Sequence, residues 1–402
     1  MKAEIKPSRA HGVFNATPSK SAAHRALICA ALTEGETEIK NVEYSQDILA
    51  TLDCLESLGI AAERYDKSVV IHGGLKELEK ATLNCRESGS TLRFLIPVSL
   101  LTGGKITFTG SQTLMSRPLG VYEDIFSEND IDFRREDGKI TLNGSLKPTN
   151  FKIPGNISSQ FITGLLFALP VLSGDSRIEI IPPYESKPYV DMTAKYLEMS
   201  GVKLSFKSES EILITGNQKY KCPDMTVEGD WSNAAFFEFL NYLGSDVTVT
   251  GLDEESLQGD KICLKYFETL KTERPEIDIT DYPDLGPVLF AAAFRNGAVF
   301  TGTRRLKIKE SDRCASMAAE LAKFGIKTAQ KENSFTVYKS ELKAPAVPLD
   351  GHNDHRIVMA LSILSTLTGA VIEDAQAVEK SMPAFFGILK TLGIEVNVIE
   401  TA

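Results

Sequence analysis

One pattern occurs six times along the chain, and this repetition restricts the fold more than any other feature of the sequence. Each repeat has a polar loop, an apolar helix that ends at a glycine, and then a short alternating strand. The predicted helices span residues 26–32, 92–101, 161–172, 234–243, 288–294 and 357–367. Glycines follow them closely, as expected just past a helix C-terminus: Gly35, Gly103, Gly174, Gly244, Gly297 and Gly369.

A second polar loop and an amphipathic helix complete each repeat. Equivalent positions in these second loops are 70, 70, 73, 52 and 70 residues apart, at Asp47, Arg117, Lys187, Asp260, Asp312 and Met382. The first helix of each repeat is apolar nearly all round and should therefore be buried. Because a single repeat cannot bury its own core, three should associate around shared helices. The pattern predicts an α/β (α+β) fold of two domains, each with three repeated βαβαββ-like units around buried helices.

The predicted boundary between the two domains lies at a proline turn, residues 221–224. A chain of 402 residues is too long for one ordinary core, which also favours two domains. The first domain is predicted to span residues 16–223 and the second to include residues 224–402. On pattern alone, a strand within residues 1–15 can pair with either domain.

Composition excludes several classes of function. Acidic residues outnumber basic ones by 54 to 44, and the net charge of −10 argues against a nucleic-acid or anionic-membrane surface. We find no apolar run of 18 residues and no signal-peptide core. The six cysteines are scattered without metal-ligand spacing, which predicts reduced core thiols. These features predict a cytoplasmic protein with no membrane segment and no metal site.

The loop at residues 17–25 is the strongest candidate for an anion site. It places Lys20 and Arg25 beside three hydroxyl side chains at the start of a helix, where free N–H groups and the helix dipole favour an anion. The alternative is an ordinary capped and solvated helix start. Cations recur at equivalent loop positions, which favours one shared positive cleft over solvated surface charges: Lys20, Arg25, Arg93, Arg117, Lys187, Lys309, Arg313, Arg356 and Lys380.

Residues 304–313 form the densest charged segment. Alternation predicts that Arg305, Lys307 and Lys309 lie on one side, with Glu310 at the following turn. A carboxyl group among cations can be tuned for proton transfer, or it can simply cap the next helix. Asp284 has the same two interpretations. No dinucleotide or Walker-type glycine loop is present, so the sequence supports neither nucleotide nor metal chemistry.

These loops resemble, in order and over essentially the whole chain, those of the 5-enolpyruvylshikimate-3-phosphate synthases. The motifs that carry the resemblance are Pro-Ser-Lys-Ser-x-x-His-Arg at 18–25, Ser-Gly-Ser-Thr-Leu-Arg at 88–93, Ser-Arg-Pro at 116–118, Ser-Lys-Pro-Tyr at 186–189 and Lys-Glu-x-Asp-Arg at 309–313. The resemblance implies an inverse α/β barrel in each domain, with helix N-termini pointing inward. It also implies that residues 1–15 join 224–402, and that the active site lies in the cleft between the domains.

The resemblance implies the site residues as well. It implies that shikimate 3-phosphate is bound by Lys20, Ser21, Arg25, Ser158, Ser159, Gln160, Ser186, Asp284 and Lys309. It implies that phosphoenolpyruvate is bound by Lys20, Gly89, Arg93, Arg117, Gln160, Arg313, Arg356 and Lys380. The implied catalytic residues are Asp284, Glu310 and Lys20. Glu87 and Phe94 depart from the family pattern beside the phosphoenolpyruvate loop, where Asn and Pro are common.

The implied activity is transfer of the enolpyruvyl group of phosphoenolpyruvate to the 5-hydroxyl of shikimate 3-phosphate, without a cofactor and by a monomer. One alternative is the related transferase that acts on UDP-N-acetylglucosamine, whose family uses a cysteine on a mobile loop as acid. The nearest cysteine here is Cys85, before the glycine loop. The other alternative is a non-catalytic anion-binding protein on the same scaffold.

Overall fold

A computed structural model describes residues 1–400 and divides the chain into two compact units. The continuous unit comprises Pro18–Glu228. The discontinuous unit comprises Met1–Thr17 and Gly229–Ala402. The continuous unit therefore begins and ends a few residues later than the predicted boundaries at 16 and 223.

Backbone hydrogen bonds explain both shifts. The amide of Ala16 donates to Thr250 and the amide of Asp230 donates to Thr17, so residues 16 and 17 stay with the discontinuous unit. A short strand, Met225–Thr226, pairs in parallel with Ile39 and Lys40 of the continuous unit. The proline turn at residues 221–224 therefore lies near the end of the continuous unit but not at its last residue, Glu228.

Helices occupy both units in a regular alternation of buried and amphipathic types. In chain order they are α1 (Lys20–Leu32), α2 (Gln46–Ser57), α3 (Gly89–Ser99), α4 (Gln112–Ser116), α5 (Gly120–Ser127), α6 (Ser159–Ala168), α7 (Lys187–Met199), α8 (Trp231–Tyr242), α9 (Cys263–Thr269), α10 (Gly286–Ala292), α11 (Arg313–Lys323), α12 (His355–Ser365) and α13 (Phe385–Thr391). The predicted apolar helices correspond to α1, α3, α6, α8, α10 and α12, which are buried over most of their length.

All six of these helices begin two to six residues earlier than predicted. Five have a capping side chain that accepts a hydrogen bond from a first-turn amide, and the caps are Ser19, Ser88, Ser158, Asp230 and Asp354. The prediction that Lys20–Arg25 form a loop is therefore wrong, because the Ser19 cap lets the helix begin at Lys20. The same shift places Ser90, Gln160, Ser232 and Arg356 in the first turns of their helices, whereas Asp284 lies in the 3-10 turn Pro283–Leu285 before α10.

The strands form small mixed sheets. In chain order they are β1 (Lys2–Ile5), β2 (His11–Asn15), β3 (Gly35–Lys40), β4 (Ala61–Arg64), β5 (Ser68–Gly73), β6 (Lys80–Asn84), β7 (Lys105–Thr109), β8 (Asp132–Glu136), β9 (Lys139–Asn143), β10 (Asn150–Pro154), β11 (Ser176–Ile181), β12 (Leu204–Ser208), β13 (Glu211–Ile214), β14 (Met225–Thr226), β15 (Asp246–Thr250), β16 (Glu276–Asp278), β17 (Ala298–Thr301), β18 (Thr328–Gln330), β19 (Ser334–Val337), β20 (Ala370–Ile372) and β21 (Val396–Ile399).

Sheet topology repeats in the same way as the sequence. The continuous unit has the strand orders β14-β3-β5-β4, β6-β7-β9-β8 and β10-β11-β13-β12, each with one parallel pair followed by antiparallel neighbours. The discontinuous unit has β16-β17-β19-β18, with the same pattern. Its other sheets use the N-terminal strands, because β1 lies between β20 and β21 and β2 pairs in parallel with β15. The predicted α/β fold of repeated units is confirmed.

Each unit has its own hydrophobic core built around its buried helices. Leu27, Leu95 and Leu166 are fully buried in the continuous unit, and Phe236 and Leu361 are fully buried in the other. The six cysteines are all buried free thiols, as their apolar surroundings predict. Within residues 1–400, no helix combines the length and the apolar character that crossing a membrane requires.

Candidate active site

The start of α1 carries the first group of candidate residues. The Ser19 hydroxyl accepts a hydrogen bond from the Ala22 amide and caps the helix. Lys20, the first helical residue, forms an ion pair with Asp47 at 2.8 Å between Nζ and Oδ2. Both side chains are largely buried, at 15% and 11% exposure. The start of α1 is therefore not freely solvated, because its first side chain, Lys20, is largely buried and paired.

Arg25 lies one turn deeper and joins α1 to α7. Its Nε donates to Thr193 Oγ1 at 2.9 Å, Nη1 donates to the Ser21 carbonyl at 2.7 Å, and Nη2 donates to the Tyr189 carbonyl at 2.8 Å. Burial lowers the pKa of Arg25 to about 10, so the guanidinium remains charged at neutral pH. This cation therefore sets a positive potential under the helix start, and its assignment as a direct substrate ligand stays a prediction.

Two guanidinium groups converge on Gly89, the first residue of α3. A Cβ atom at this position would lie 2.7 Å from Arg117 Nη1 and 3.1 Å from Arg93 Nη1. Such distances are below ordinary contact, so only glycine lets both groups approach the backbone of this helix start. The result is a cradle of two cations at a helix N-terminus, which is a strong site for an anion.

Neighbouring groups hold Arg93, one of the two arginines of this cradle. Arg93 Nη1 donates to the Gln160 side-chain oxygen at 2.8 Å, and the Gln160 amide donates to Ser90 Oγ at 3.0 Å. The Tyr122 hydroxyl donates to the Arg93 carbonyl at 2.7 Å. The backbones of α3 and α6 lie close together here, because a Cβ atom at Gly164 of α6 would overlap both the Tyr122 hydroxyl and the Arg93 carbonyl.

The predicted serine ligands lie at the starts of α6 and α7. Ser158 caps α6 by accepting a hydrogen bond from the Gln160 amide, and Ser159 is buried beside it. Ser186 precedes α7 in a left-handed backbone conformation, with φ of 58°, and is also buried. The structure thus places each predicted serine at a helix start, as it does Lys20 and Gly89.

The second group of candidate residues surrounds Arg313 in the discontinuous unit. Its guanidinium is almost inaccessible, at 1% side-chain exposure, and contacts three carboxylates. Nε donates to Asp354 at 2.8 Å, Nη1 donates to Asp284 at 2.9 Å, and Nη2 donates to Glu310 at 2.7 Å. Arg313 therefore fixes the carboxylates of this cluster, and its predicted contact with phosphoenolpyruvate stays a prediction.

Asp284 has further cationic neighbours. Lys309 Nζ and Arg356 Nη2 each lie 3.3 Å from one of its oxygens. Burial raises the pKa of the Asp284 carboxyl, but the charges of Arg356, Lys309 and Arg313 outweigh burial and hold that pKa well below its usual range. Burial also lowers the pKa of Lys309, and the Asp284 carboxylate partly offsets that effect. Asp284 is therefore firmly ionised in this arrangement.

Other predicted cations have distinct surroundings. Lys380 donates to the Asn353 carbonyl at 2.6 Å, which ties it to the loop before α12. Lys187 forms a partly exposed ion pair with Asp191, four residues further along α7. The alternation predicted for residues 305–309 is wrong, because Arg304–Ile308 is a 3-10 helix in which Arg305 is buried and Lys307 is exposed.

Sequence reasoning did not assign roles to two acidic residues that hold the site. Asp47 pairs with Lys20, and the fully buried Asp354 both caps α12 and binds Arg313. Asp354 directly precedes an apolar helix, which is a usable N-cap signal. Nothing in the sequence indicates its long-range contact with Arg313. Within residues 1–400, no group of three or more His, Cys, Asp and Glu side chains is arranged to hold a metal ion.

Comparison with known proteins first defines the class. EPSP synthase from Acinetobacter baumannii has a similar structure, with a TM-score of 0.80 and 24% identity, covering 99% of this chain and 100% of that one. The enolpyruvyl transferase NikO from Streptomyces tendae matches with a TM-score of 0.78 and 14% identity, covering 98% of each chain. The chain therefore has the enolpyruvyl transferase fold.

Sequence comparison defines the family. A family model described as EPSP synthase (3-phosphoshikimate 1-carboxyvinyltransferase) matches residues 5–389. The 3-phosphoshikimate 1-carboxyvinyltransferase of Clostridium kluyveri is 43% identical over 417 residues, which cover 98% of this chain and 97% of that protein. The chain belongs to the EPSP synthase family.

Proposed function

We propose that this chain is a 3-phosphoshikimate 1-carboxyvinyltransferase of the shikimate pathway. It transfers the enolpyruvyl group of phosphoenolpyruvate to the 5-hydroxyl of shikimate 3-phosphate and releases phosphate. The observation that carries the proposal is the cradle in which Arg93 and Arg117 converge on Gly89, within a chain that matches this family over residues 5–389. The reaction brings together two phosphates and a carboxylate, which repel each other unless cations compensate their charges.

Phosphoenolpyruvate is assigned to the cations of both clusters. In the continuous unit the contacts are Lys20, Gly89, Arg93, Arg117 and Gln160. In the discontinuous unit they are Arg313, Arg356 and Lys380. The geometry at Gly89 supports this assignment, because two guanidinium groups and a helix start suit a doubly charged phosphate.

Shikimate 3-phosphate is assigned to the helix starts of α1, α6 and α7 and to part of the Asp284 cluster. Its proposed ligands are Lys20, Ser21, Arg25, Ser158, Ser159, Gln160, Ser186, Asp284 and Lys309. Hydroxyl and amide groups at a helix start can bind both a phosphate and the hydroxyls of a ring. Arg25 is proposed to bind the phosphate through its buried, charged guanidinium.

Proton transfer is assigned to the carboxylates held by Arg313. The 5-hydroxyl must lose a proton as its oxygen bonds to the phosphoenolpyruvate carbon that bears the phosphate, while the methylene carbon gains a proton. Phosphate then leaves, and the methyl group returns one proton to restore the double bond. Glu310 is proposed to donate and recover this proton, with Lys20 as the competing acid. Asp284, ionised by its cationic neighbours, is proposed to orient the 5-hydroxyl and to accept the proton that this hydroxyl loses.

The structure gives no support to a cysteine acid like that of the UDP-sugar transferases. Cys85 is fully buried, and its sulfur lies 4.0 Å from that of Cys54. Burial raises the pKa of the Cys85 thiol well above its usual range. A thiol in this position is a poor proton donor to a bound substrate.

The deciding experiment measures phosphate release from phosphoenolpyruvate with and without shikimate 3-phosphate. We expect release only when both are present, and UDP-N-acetylglucosamine should not replace shikimate 3-phosphate. Lys20→Ala should reduce kcat/KM by more than about tenfold, because a lost charge-assisted contact costs about 1.5–3 kcal/mol. Lys195→Ala, which removes an exposed lysine of α7, is the control and should match the parent. Binding without phosphate release would instead favour an anion-binding protein.

We also propose that the protein works as a monomer in the cytoplasm. The six buried free thiols support a reducing compartment. Light scattering coupled to size-exclusion chromatography tests the oligomeric state, and a dimer mass would refute this part of the proposal.

A further inference from the structure

A buried chain of hydrogen bonds connects the first three helices of the continuous unit beneath the candidate site. His24 Nδ1 lies 2.8 Å from Thr51 Oγ1, and Thr51 Oγ1 lies 2.7 Å from Thr91 Oγ1. The Thr91 hydroxyl donates to Ser88 Oγ at 2.7 Å. All four side chains are at most 1% exposed. The chain thus runs from α1 through α2 to the residue that caps α3.

The position of this chain relates it to the candidate site. His24 lies four residues after Lys20 on α1, and Thr51 lies four residues after Asp47 on α2. The His24–Thr51 contact therefore joins the same faces of α1 and α2 as the Lys20–Asp47 ion pair, one helical turn further along both helices. Ser88, at the far end, directly precedes Gly89.

The chain has a defined direction. Burial, followed by the charges of Lys20 and Arg25, lowers the pKa of His24 well below its usual range, so the imidazole is neutral. Its Nε2 is buried and has no hydrogen-bond partner within residues 1–400. The tautomer with the proton on Nδ1 avoids an unpaired buried donor, so His24 donates to Thr51. Thr51 then donates to Thr91, and Thr91 donates to Ser88.

Ser88 has two acceptor roles at the end of this chain. Its hydroxyl oxygen also accepts the Thr91 amide at 3.2 Å, which is the capping bond of α3. The Asp47 carbonyl of α2 lies 3.4 Å from the Thr91 hydroxyl and is a more distant, competing acceptor for the same proton. The starts of α1, α2 and α3 are therefore joined by polar contacts. These contacts restrict the relative movement of the three helices more than apolar packing alone would.

We propose that His24, Thr51 and Thr91 are positioning residues that hold the Gly89 helix start at a fixed distance from the Lys20 helix start. The inference rests on the proposed function, since the two starts are assigned to the two substrates. All three side chains are at most 1% exposed, so we assign them no direct contact with substrate. Their effect passes through Ser88 to the Gly89 cradle and through Asp47 to Lys20.

The test compares variants that remove or keep the hydroxyl of Thr51. Thr51→Val should lower kcat/KM for phosphoenolpyruvate about ten- to a hundredfold, because a misplacement of about 1 Å can cost a hundredfold. Thr51→Ser keeps the hydroxyl and should remain within about threefold of the parent, since the chain is intact. The control is Thr102→Val, which removes a similarly buried hydroxyl in the 3-10 turn that follows α3 and should leave kcat/KM unchanged.

A second pair of variants tests the histidine. Asn places an amide nitrogen near the position of Nδ1, so His24→Asn should retain activity. Gln reaches toward the position of Nε2, so His24→Gln should lose activity as Thr51→Val does. This pair decides the question if Thr51→Val fails to fold. The double variant Thr51→Val with Thr91→Val should lose little beyond either single change, since one break already interrupts the chain.

Two results would overturn the inference. One is a Thr51→Val enzyme with the same kcat/KM as Thr102→Val, and the other is equal losses for His24→Asn and His24→Gln. An inactive parent would refute the proposed function, but the positioning role of the hydrogen-bond chain could still be tested. In that case hydrogen exchange at the Thr91 amide should be faster in Thr51→Val than in Thr51→Ser, and equal rates would refute the positioning role.

Discussion

Replacing Arg313 by Met should destabilise the discontinuous unit strongly. The buried guanidinium contacts Asp354, Asp284 and Glu310, with nitrogen–oxygen distances between 2.7 and 3.3 Å. Methionine fills much of the same volume and carries no charge. The variant therefore leaves three carboxylates near one another, and one of them, Asp354, has no exposed surface.

The magnitude follows from this arrangement. Removing one partner of a buried ion pair costs about 3–5 kcal/mol, because the remaining charge is left without compensation. Lys309 and Arg356 still face Asp284, and Lys309 also interacts with the charge of Glu310, so the uncompensated charge falls mainly on the fully buried Asp354. With an m-value of about 2 kcal/mol per molar urea, the midpoint should fall by roughly 1.5–2.5 M.

The assay uses the single tryptophan of the chain. Trp231 begins α8 and is 6% exposed, so its fluorescence reports unfolding of the discontinuous unit. Urea titrations of parent and variant should be compared at pH 7 and pH 5. A lowered folded-state pKa, as for Asp284, stabilises the parent above the unfolded pKa of about 3.9, so this contribution is constant between those pH values.

The variant should respond differently to pH. Without the guanidinium, the pKa of a neighbouring carboxyl rises, and protonation near pH 5 relieves the repulsion. The stability difference from the parent should therefore be smaller at pH 5 than at pH 7. Lys271→Met, which removes an exposed ion pair with Glu268, is the control and should not move the midpoint measurably. A loss below about 1 kcal/mol, or one independent of pH, would refute the view of Arg313 as the hub of the cluster.

Three further predictions concern single substitutions. Glu310→Gln should keep its affinity for shikimate 3-phosphate in calorimetry while turnover falls at least about a hundredfold, and turnover within about threefold of the parent would exclude Glu310 as the acid. Gly89→Ala should raise the KM for phosphoenolpyruvate in steady-state kinetics, because the new Cβ displaces Arg117, yet leave the melting temperature nearly unchanged; an unaltered KM would contradict the cradle. A hydrogen bond that His352 donates to the Glu320 carboxylate raises the pKa of His352, which stabilises the fold below about pH 6.5 and ceases to do so as pH rises through the raised pKa. His352→Asn should therefore flatten this part of the pH–stability curve, and an unchanged curve would refute that assignment.

The repeat itself was readable from the sequence because it depends on local chemistry. Apolar runs, the glycines after them and alternating strands reflect helix and strand geometry within each segment. The starts of the buried helices were placed too late, since the polar first turn of α1 looks like a loop until Ser19 is recognised as its cap. The loop positions supplied the cations, Asp284 and Glu310 as candidates, whereas resemblance to a family supplied the serine ligands and the assignment of all these residues to two substrates.

The sequence by itself determined the six repeats, the buried helices and the presence of cations at their polar starts. These follow from hydrophobic periodicity and from residue types that are visible in any short window. Only the tertiary structure decided that Arg313 reaches Asp354, 41 residues away, and that Thr51 connects His24 to Thr91. Such contacts depend on how helices from different repeats pack, and packing is set by the whole core of a unit. No local pattern encodes the distance between two side chains that meet only after folding.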